Sequence, residues 1–187
     1  MQNNTLKLLI ALVLLLLCAE ISLAFPDLDQ KFNGEIPSKV LSHRSILTHS
    51  FLLPLLAYWA TFWRKQLLPR LYGFVIGSAT AVHLSFDLFP RKWVGQSLIH
   101  IPLLGRTSPE FSKLWIGLSL IISLYAVFLC IRNSTDVVIV LVCLVLLFGF
   151  YAITEDQRAI YPALTLSATT TATLILPSDA RATRRRF

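Results

Sequence analysis

Long apolar runs, separated by short polar segments, dominate the pattern of this 187-residue chain. A helix that spans a bilayer needs about 17–25 residues, and five runs meet that length. They lie at approximately 6–25, 45–63, 71–89, 114–131 and 137–153. A sixth run, at about 164–176, is shorter and rich in Thr and Ala, which leaves open a tilted span, a re-entrant segment or an interfacial one. The pattern predicts an all-α integral membrane bundle of five or six transmembrane helices, folded as a single domain over residues 1–187.

The first apolar run has two interpretations. Lys7, the apolar residues that follow it and the sequence Ser22-Leu23-Ala24 together resemble a secretory signal with a cleavage site. Cleavage after Ala24 would leave Pro26 as the second residue, which is unfavourable, so a retained helix is the favoured interpretation.

The third run carries small residues at four-residue intervals, at Gly73, Gly77 and Ala81. Small residues at this spacing let two helices approach closely within a membrane. We therefore expect this helix to be an inner one, packed against protein.

Composition supports the membrane interpretation. The chain is 55% hydrophobic and only 14% charged, whereas a soluble domain is about 25% charged. A disordered chain, a soluble enzyme and a nucleic-acid binder of the usual kind are thereby excluded. The formal net charge of +7 comes from basic residues at the ends of the apolar runs, where such residues meet lipid headgroups.

Polar residues collect near one membrane face, because successive spans alternate in direction. Asp27 and Asp29 follow the first run, His43 and His49 precede or begin the second, and the third run ends with His83 and Asp87. His83 and Asp87, at i and i+4, share one face of a helix. Ionisable residues within a membrane are costly and usually functional, so this set predicts a metal or proton site.

Other interpretations stay open for single residues. A His–Asp contact can be a structural hydrogen bond, and Asp27 with Asp29 can be a solvated loop pair. Arg44 either extends to lipid phosphates or clamps a substrate phosphate. Thr48 and Ser50 either cap the second helix or hydrogen-bond the ligating groups. We expect the remaining acidic residues to be solvated loop charges: Asp136, Glu155, Asp156 and Asp179.

Three motifs in order carry a family resemblance. They are Pro26-Asp27-Leu28-Asp29, then His43-Arg44-Ser45-Ile46-Leu47-Thr48-His49-Ser50, then His83-Leu84-Ser85-Phe86-Asp87. Together they resemble the YdjM-like family of LexA-regulated inner-membrane proteins, described as metal-dependent hydrolases. The resemblance covers about residues 20–106; the spans at 114–153, the segment at 164–176 and the basic tail are generic. Members often carry a His in the first helix, where this chain has Asn3, Asn4 and Thr5.

The resemblance implies metal-assisted hydrolysis of a phosphoester. The expected location of the site at one membrane face favours a lipid or lipid-linked substrate. His and Asp ligands suit zinc best, with manganese or iron as alternatives. We expect His49, His83 and Asp87 to bind the metal, and Asp27 or Asp29 to be a further ligand or the general base. His43 is expected to be a ligand or the general acid, and Arg44 to clamp a phosphate.

Two other classes compete with the hydrolase. A His–Asp cluster can relay protons or carry metal ions across a membrane, and bound metal can also fix helices in a non-catalytic scaffold. The expected location is a bacterial inner membrane, with membrane lipids and a lipid-linked substrate as partners and no nucleic acid. Lys and Arg are too evenly divided between the two sides to set the orientation.

Overall fold

The computed structural model describes residues 2–31, 43–154 and 159–175, and this part of the chain is mainly helical. Its helices are α1 (Gln2–Ala24), α2 (Leu28–Lys31), α3 (Leu52–Phe62), α4 (Leu67–Asp87), α5 (Pro109–Leu129), α6 (Ser134–Thr154) and α7 (Ile160–Ile175). A single 3₁₀ turn, Gly95–Ser97, lies between α4 and α5. It is followed by a small antiparallel hairpin of β1 (His100–Ile101) and β2 (Gly105–Arg106).

Three helices, α4, α5 and α6, are long and apolar enough to cross a membrane. Each has 21 residues, which corresponds to about 31 Å and matches the hydrocarbon core of a bilayer. The structure therefore confirms an all-helical fold that is compatible with a membrane protein. A full count of five or six spans stays a prediction.

The second predicted span is divided into two parts. The helix was expected from about residue 45, but α3 begins at Leu52 and has only 11 residues. Turns occupy residues 43–51 instead, because their polar groups bond elsewhere. The backbone N–H of Ser45 donates to the Asp29 carboxylate, and the N–H of Ile46 donates to the carbonyl of His100. The segment that the pattern assigned to the membrane thus forms part of a folded polar site.

Helix α4 is the centre of the bundle and packs against α1, α3, α5, α6 and α7. Its small residues Gly73, Gly77 and Ala81 are all buried. A Cβ added at Gly73 would lie 2.6 Å from Thr61 Oγ1 of α3, so only glycine permits this approach. The prediction of an inner helix is confirmed.

Helix α6 differs from α4 in facing outward. Only 17% of the most apolar 18-residue stretch of this helix is buried inside the protein. Large apolar side chains such as Val145, Leu146 and Ile153 are exposed along it. An apolar surface of this extent suits a lipid environment and would be unusual on a soluble monomer.

Candidate metal centre

Three separate segments bring the polar residues together at the end of α4. Asp27 and Asp29 lie at and just before the short helix α2, and His43, Arg44 and His49 lie in the turns before α3. His83 and Asp87 come from the last two turns of α4. Each of the seven candidate residues has a charged or imidazole atom within 4 Å of at least one other, so that they form one connected cluster.

Two histidines lie between two carboxylates, and we call these four residues the His/Asp group: Asp27, His49, His83 and Asp87. The Nε2 atoms of His49 and His83 lie 3.2 and 3.1 Å from Asp87 Oδ2. The Asp27 carboxylate lies 3.9 Å from His49 Nε2 and 3.8 Å from His83 Nε2. Neighbouring ligands of a tetrahedral zinc ion are about 3.3 Å apart, given metal–ligand bonds of about 2.0–2.1 Å.

Ligand atoms of Asp27, His49 and His83 all lie within 4.8 Å of one another, and these residues could hold a metal ion. The sequence interpretation had placed Asp27 among the catalytic groups as well as among possible ligands. In the structure its carboxylate is 36% exposed, whereas His49 and His83 are almost completely buried. Asp27 therefore lies where the group is open to its surroundings.

The ring of His83 is oriented by its other nitrogen. Its Nδ1 lies 2.8 Å from the backbone carbonyl oxygen of Leu23 in α1, which can only accept a hydrogen bond. The Nδ1 atom is therefore the protonated one in the neutral ring, and Nε2 carries a lone pair. The hydroxyl of Tyr151, from α6, lies 3.0 Å from the same Nδ1. Second contacts of this type commonly orient a metal-binding histidine.

His49 is held in a comparable way. The Thr48 hydroxyl donates to Asp29 Oδ2 at 2.7 Å and lies 3.2 Å from His49 Nδ1. Since that hydroxyl proton is already used, its oxygen accepts from Nδ1–H and leaves a lone pair on Nε2. The Trp115 indole of α5 fixes the backbone by donating to the His49 carbonyl at 2.9 Å.

The atoms that face the centre lack hydrogen-bond partners. Among the described residues, ten buried side-chain atoms form no hydrogen bond, and six of them lie in this site: Asp29 Oδ1, His43 Nδ1, Arg44 Nε, His49 Nε2, His83 Nε2 and Asp87 Oδ2. A buried polar atom without a partner costs free energy and is uncommon in folded proteins. Two imidazole nitrogens beside one carboxylate oxygen have the chemistry of a cation site.

Asp29 lies beneath this group and supports it. The side chain is buried, and its Oδ2 accepts from the Ser45 N–H at 2.8 Å as well as from Thr48. Burial alone would raise the pKa of the Asp29 carboxyl. Contacts from His43, Ser45 and Thr48 outweigh burial and hold that pKa below its ordinary value.

His43 lies at the edge of the site, between two carboxylates. Its Nδ1 is 3.6 Å from Asp29 Oδ1 and 3.8 Å from Asp27 Oδ1, and its side chain is 18% exposed. The Gln30 amide nitrogen lies 3.4 Å from His43 Nε2 and also donates to Asp27 Oδ1 at 2.9 Å. This arrangement directs an Nδ1 proton towards the carboxylates, which suits proton transfer better than metal ligation.

Both terminal nitrogens of Arg44 form hydrogen bonds within the protein, and its buried Nε forms none. One terminal nitrogen donates to Asp87 Oδ1 at 2.6 Å, and the other donates to the Ser97 carbonyl at 2.8 Å. The side chain is 6% exposed, and its guanidinium lies 6.0 Å from the centre of the Trp93 ring. Arg44 adopts a left-handed backbone with φ of 58°, which is uncommon for a residue with a side chain. The geometry favours positioning of Asp87, and the phosphate clamp stays a prediction.

Two side chains of the site were not found from the sequence. Trp115 and Tyr151 belong to spans that were interpreted as generic, yet each contacts a histidine of the His/Asp group. Their positions in the sequence could have identified them. Trp115 lies near the start of α5 and Tyr151 near the end of α6, and both of these helix ends are on the side of the site. His100, the remaining histidine, contributes through its backbone, which pairs with Arg44 and Ile46.

A second buried ionic contact lies at the opposite end of α4. Arg70 is paired with Asp136 at the start of α6, and the exposed fractions of these two residues are 5% and 1%. The Asp136 carboxylate also accepts from the backbone N–H of Arg132 at 2.8 Å. The prediction that Asp136 is a solvated loop charge is wrong, because the first turn of α6 packs against α4 and excludes water. Glu155, Asp156, Asp179 and the basic tail lie outside the described residues.

Comparison with protein-family models, curated proteins and solved structures finds no match to this chain. The function is therefore argued from the site itself.

Proposed function

We propose that this chain is a membrane-bound, metal-dependent hydrolase of phosphoester or lipid-linked substrates, with its metal held by the His/Asp group. The observation that carries the proposal is the approach of two buried imidazole nitrogens to one carboxylate oxygen. His49 Nε2 and His83 Nε2 lie 3.2 and 3.1 Å from Asp87 Oδ2 without a well-aligned hydrogen bond, and the Asp27 carboxylate lies beside both histidines. The resemblance to the YdjM-like family leads to the same class of protein.

The donor set fits a borderline divalent cation. Two imidazole nitrogens with one or two carboxylates suit zinc, and they also accommodate manganese or iron. Such an ion would supply Lewis-acid polarisation of a phosphoryl or acyl oxygen and would activate water near neutral pH. Asp87 would be fixed by Arg44, and both histidines would present Nε2 because Nδ1 is occupied.

The more exposed residues of the site are assigned the proton transfers. Asp27 is 36% exposed and lies beside both histidines, so it is placed to complete the ligand set or to accept a proton from attacking water. His43 is 18% exposed at the edge of the site, so its imidazole is assigned the proton transfer to the leaving oxygen, with Asp29 beside its Nδ1. Asp29 holds His43 and the turn around Ser45 in position.

The test is elemental analysis of the full chain purified in detergent. Wild type is expected to carry about one or two equivalents of zinc or manganese, and His83→Ala is expected to carry none. His100→Asn is the matched control, because His100 is also buried, at 5% exposed, but contributes no side-chain ligand to the group. Equal metal content in wild type and His83→Ala would contradict the site.

Turnover separates the hydrolase from the other classes. Metal-loaded protein is screened against phospholipids and simple phosphoesters, and Asp27→Asn and His43→Ala are expected to reduce hydrolysis by about 10²–10⁴-fold. His43→Ala should retain the metal, because its Nδ1 is directed at Asp29. Bound metal with no hydrolysis of any substrate would favour a structural scaffold. Metal or proton flux in vesicles would favour a transporter.

A further inference from the structure

We propose that one surface beside the metal centre binds the phosphate headgroup of an anionic membrane lipid. The surface is formed by Arg91, Lys92, Trp93 and Lys113, and we call it the basic edge. The idea that this surface binds a substrate lipid depends on the proposed function. The binding of an anionic headgroup there does not depend on it.

Trp93 connects the basic edge to the metal centre. Its ring is partly buried against the apolar core. The guanidinium of Arg44 lies 6.0 Å from the ring centre, and the ammonium of Lys113 lies 5.5 Å from it. Arg44 is the residue that holds Asp87. A headgroup bound by Lys113 would therefore be separated from the His/Asp group by little more than one indole ring and one guanidinium.

Charge along this part of the chain favours an anion. Residues 88–113 carry four Lys or Arg residues against one acidic residue, Glu110. Arg91, Lys92, Arg106 and Lys113 are all exposed, so their charges are available to a ligand. Glu110 lies one turn before Lys113 and offsets part of its charge. Arg91 and Lys92, which directly precede Trp93, have no acidic neighbour in the loop.

Exposed apolar side chains in the same loop indicate that the anion belongs to a lipid. Val94 is 64% exposed, and Leu103 and Leu104, at the tip of the β1–β2 hairpin, are 80% and 82% exposed. A surface that combines Lys, Arg and Trp with protruding aliphatic residues suits the boundary between headgroups and acyl chains. A soluble phosphate would gain nothing from the apolar part.

The opposite end of the bundle offers a natural control with the same residue types. The sequence Trp63-Arg64-Lys65 mirrors Arg91-Lys92-Trp93. There Trp63 is 76% exposed, and its ring packs on Phe62. Both patches place an Arg–Lys pair next to a tryptophan, and the basic edge adds Lys113. They differ in whether the tryptophan joins the patch to a polar site.

The experiment compares lipid retention by native mass spectrometry of the full chain in detergent. Phosphatidic acid competes with phosphatidylcholine of the same acyl chains, for wild type, for the triple variant Arg91→Ala/Lys92→Ala/Lys113→Ala and for the control Arg64→Ala/Lys65→Ala. Each cation near an anionic lipid contributes about 1 kcal/mol, so the triple variant should lose the preference for phosphatidic acid by at least about tenfold. The control should keep it.

Four outcomes would overturn the proposal: no preference in wild type, an unchanged preference in the triple variant, an equal loss in the control, or displacement of the lipid by millimolar inorganic phosphate. Thermal unfolding of each variant shows that any loss is not a failure to fold. Metal content, measured on the same samples, separates this inference from the proposed function. A lipid preference in protein that binds no metal supports the basic edge and contradicts the hydrolase.

Discussion

Helix α4 carries a buried ionic contact at each end, and the two contacts differ in how completely their polar atoms are satisfied. Near its start, Arg70 pairs with Asp136, whose carboxylate also accepts from the Arg132 N–H. Near its end, about 25 Å away, His83 Nε2 and Asp87 Oδ2 lie 3.1 Å apart without a well-aligned hydrogen bond. The first arrangement is that of a structural clamp between helices. The second brings an imidazole nitrogen and a carboxylate oxygen together unsatisfied, which is the condition that a metal ion would satisfy.

The largest expected effect of a substitution on stability is at the start of α4, where the polar atoms of Arg70 and Asp136 are paired. Asp136→Ala leaves the Arg70 guanidinium buried and unpaired, so the free energy of unfolding should fall by about 3–5 kcal/mol. The double variant Arg70→Met/Asp136→Leu should recover most of this loss, because neither charge is then buried. Thermal unfolding in detergent measures both. Metal content per folded protein should equal that of wild type, and a loss of metal in these variants would show that the two ends are coupled.

At the end of α4 that carries His83 and Asp87, the expected change in stability comes from metal binding. Zinc at about one hundred times its dissociation constant should raise the free energy of unfolding by about 2.7 kcal/mol, and a chelator should remove that gain. His83→Ala should show no response to either reagent, whereas the Arg70→Met/Asp136→Leu variant should respond as wild type does. A similar zinc response in His83→Ala would mean that the metal binds elsewhere.

A smaller effect is expected from the support of His83. Tyr151→Phe removes one of the two contacts at Nδ1 but keeps the ring that packs on Phe86. Zinc affinity should fall by about tenfold, the low end for such contacts, since the Leu23 carbonyl still orients the imidazole. Competition with a chromophoric chelator measures the change. Tyr125→Phe, at an exposed position on α5, should leave the affinity unchanged.

The smallest effect is a dependence of stability on pH in metal-free protein. The pKa of Asp29 is lower in the folded chain than in the unfolded one. Its carboxylate therefore stabilises the fold above the unfolded pKa of about 4, and this contribution is lost as pH falls through the folded value. Melting temperatures between neutral and acidic pH should fall less steeply for Asp29→Asn than for wild type. Parallel curves would show that Asp29 does not titrate with folding.

The expected alternation of apolar runs was sufficient to group the site residues from the sequence. Because three successive runs were expected to reverse direction, Asp27, His49 and His83 were predicted to lie on one side, and the structure brings them within reach of one ion. The spacing of Gly73 and Gly77 likewise identified the inner helix. Both inferences depend only on chain direction and helical periodicity, which are local properties.

Features that depend on tertiary partners were not predictable. Residues 45–51 were predicted to belong to a membrane helix, because Ile46 and Leu47 are apolar. Nothing in the local sequence shows that the Ser45 N–H would donate to Asp29. Asp136 was predicted to be a loop charge, because its partner Arg70 is 66 residues away in the chain. Tyr151 was assigned to a generic span, because its partner His83 is similarly distant in the sequence. In each case the deciding contact joins distant segments of the chain.

The shortness of α3 has a consequence for the surrounding membrane. Its 11 residues extend about 16 Å, roughly half of the hydrocarbon thickness. Hydrophobic mismatch of this size is relieved when the bilayer thins around the short element. Headgroups and water would then descend beside the turns at residues 43–51, where His43 and His49 lie. Under the proposed function, a lipid substrate would then present its polar head to the histidines without leaving its leaflet. The protein would reshape the membrane rather than extract the lipid.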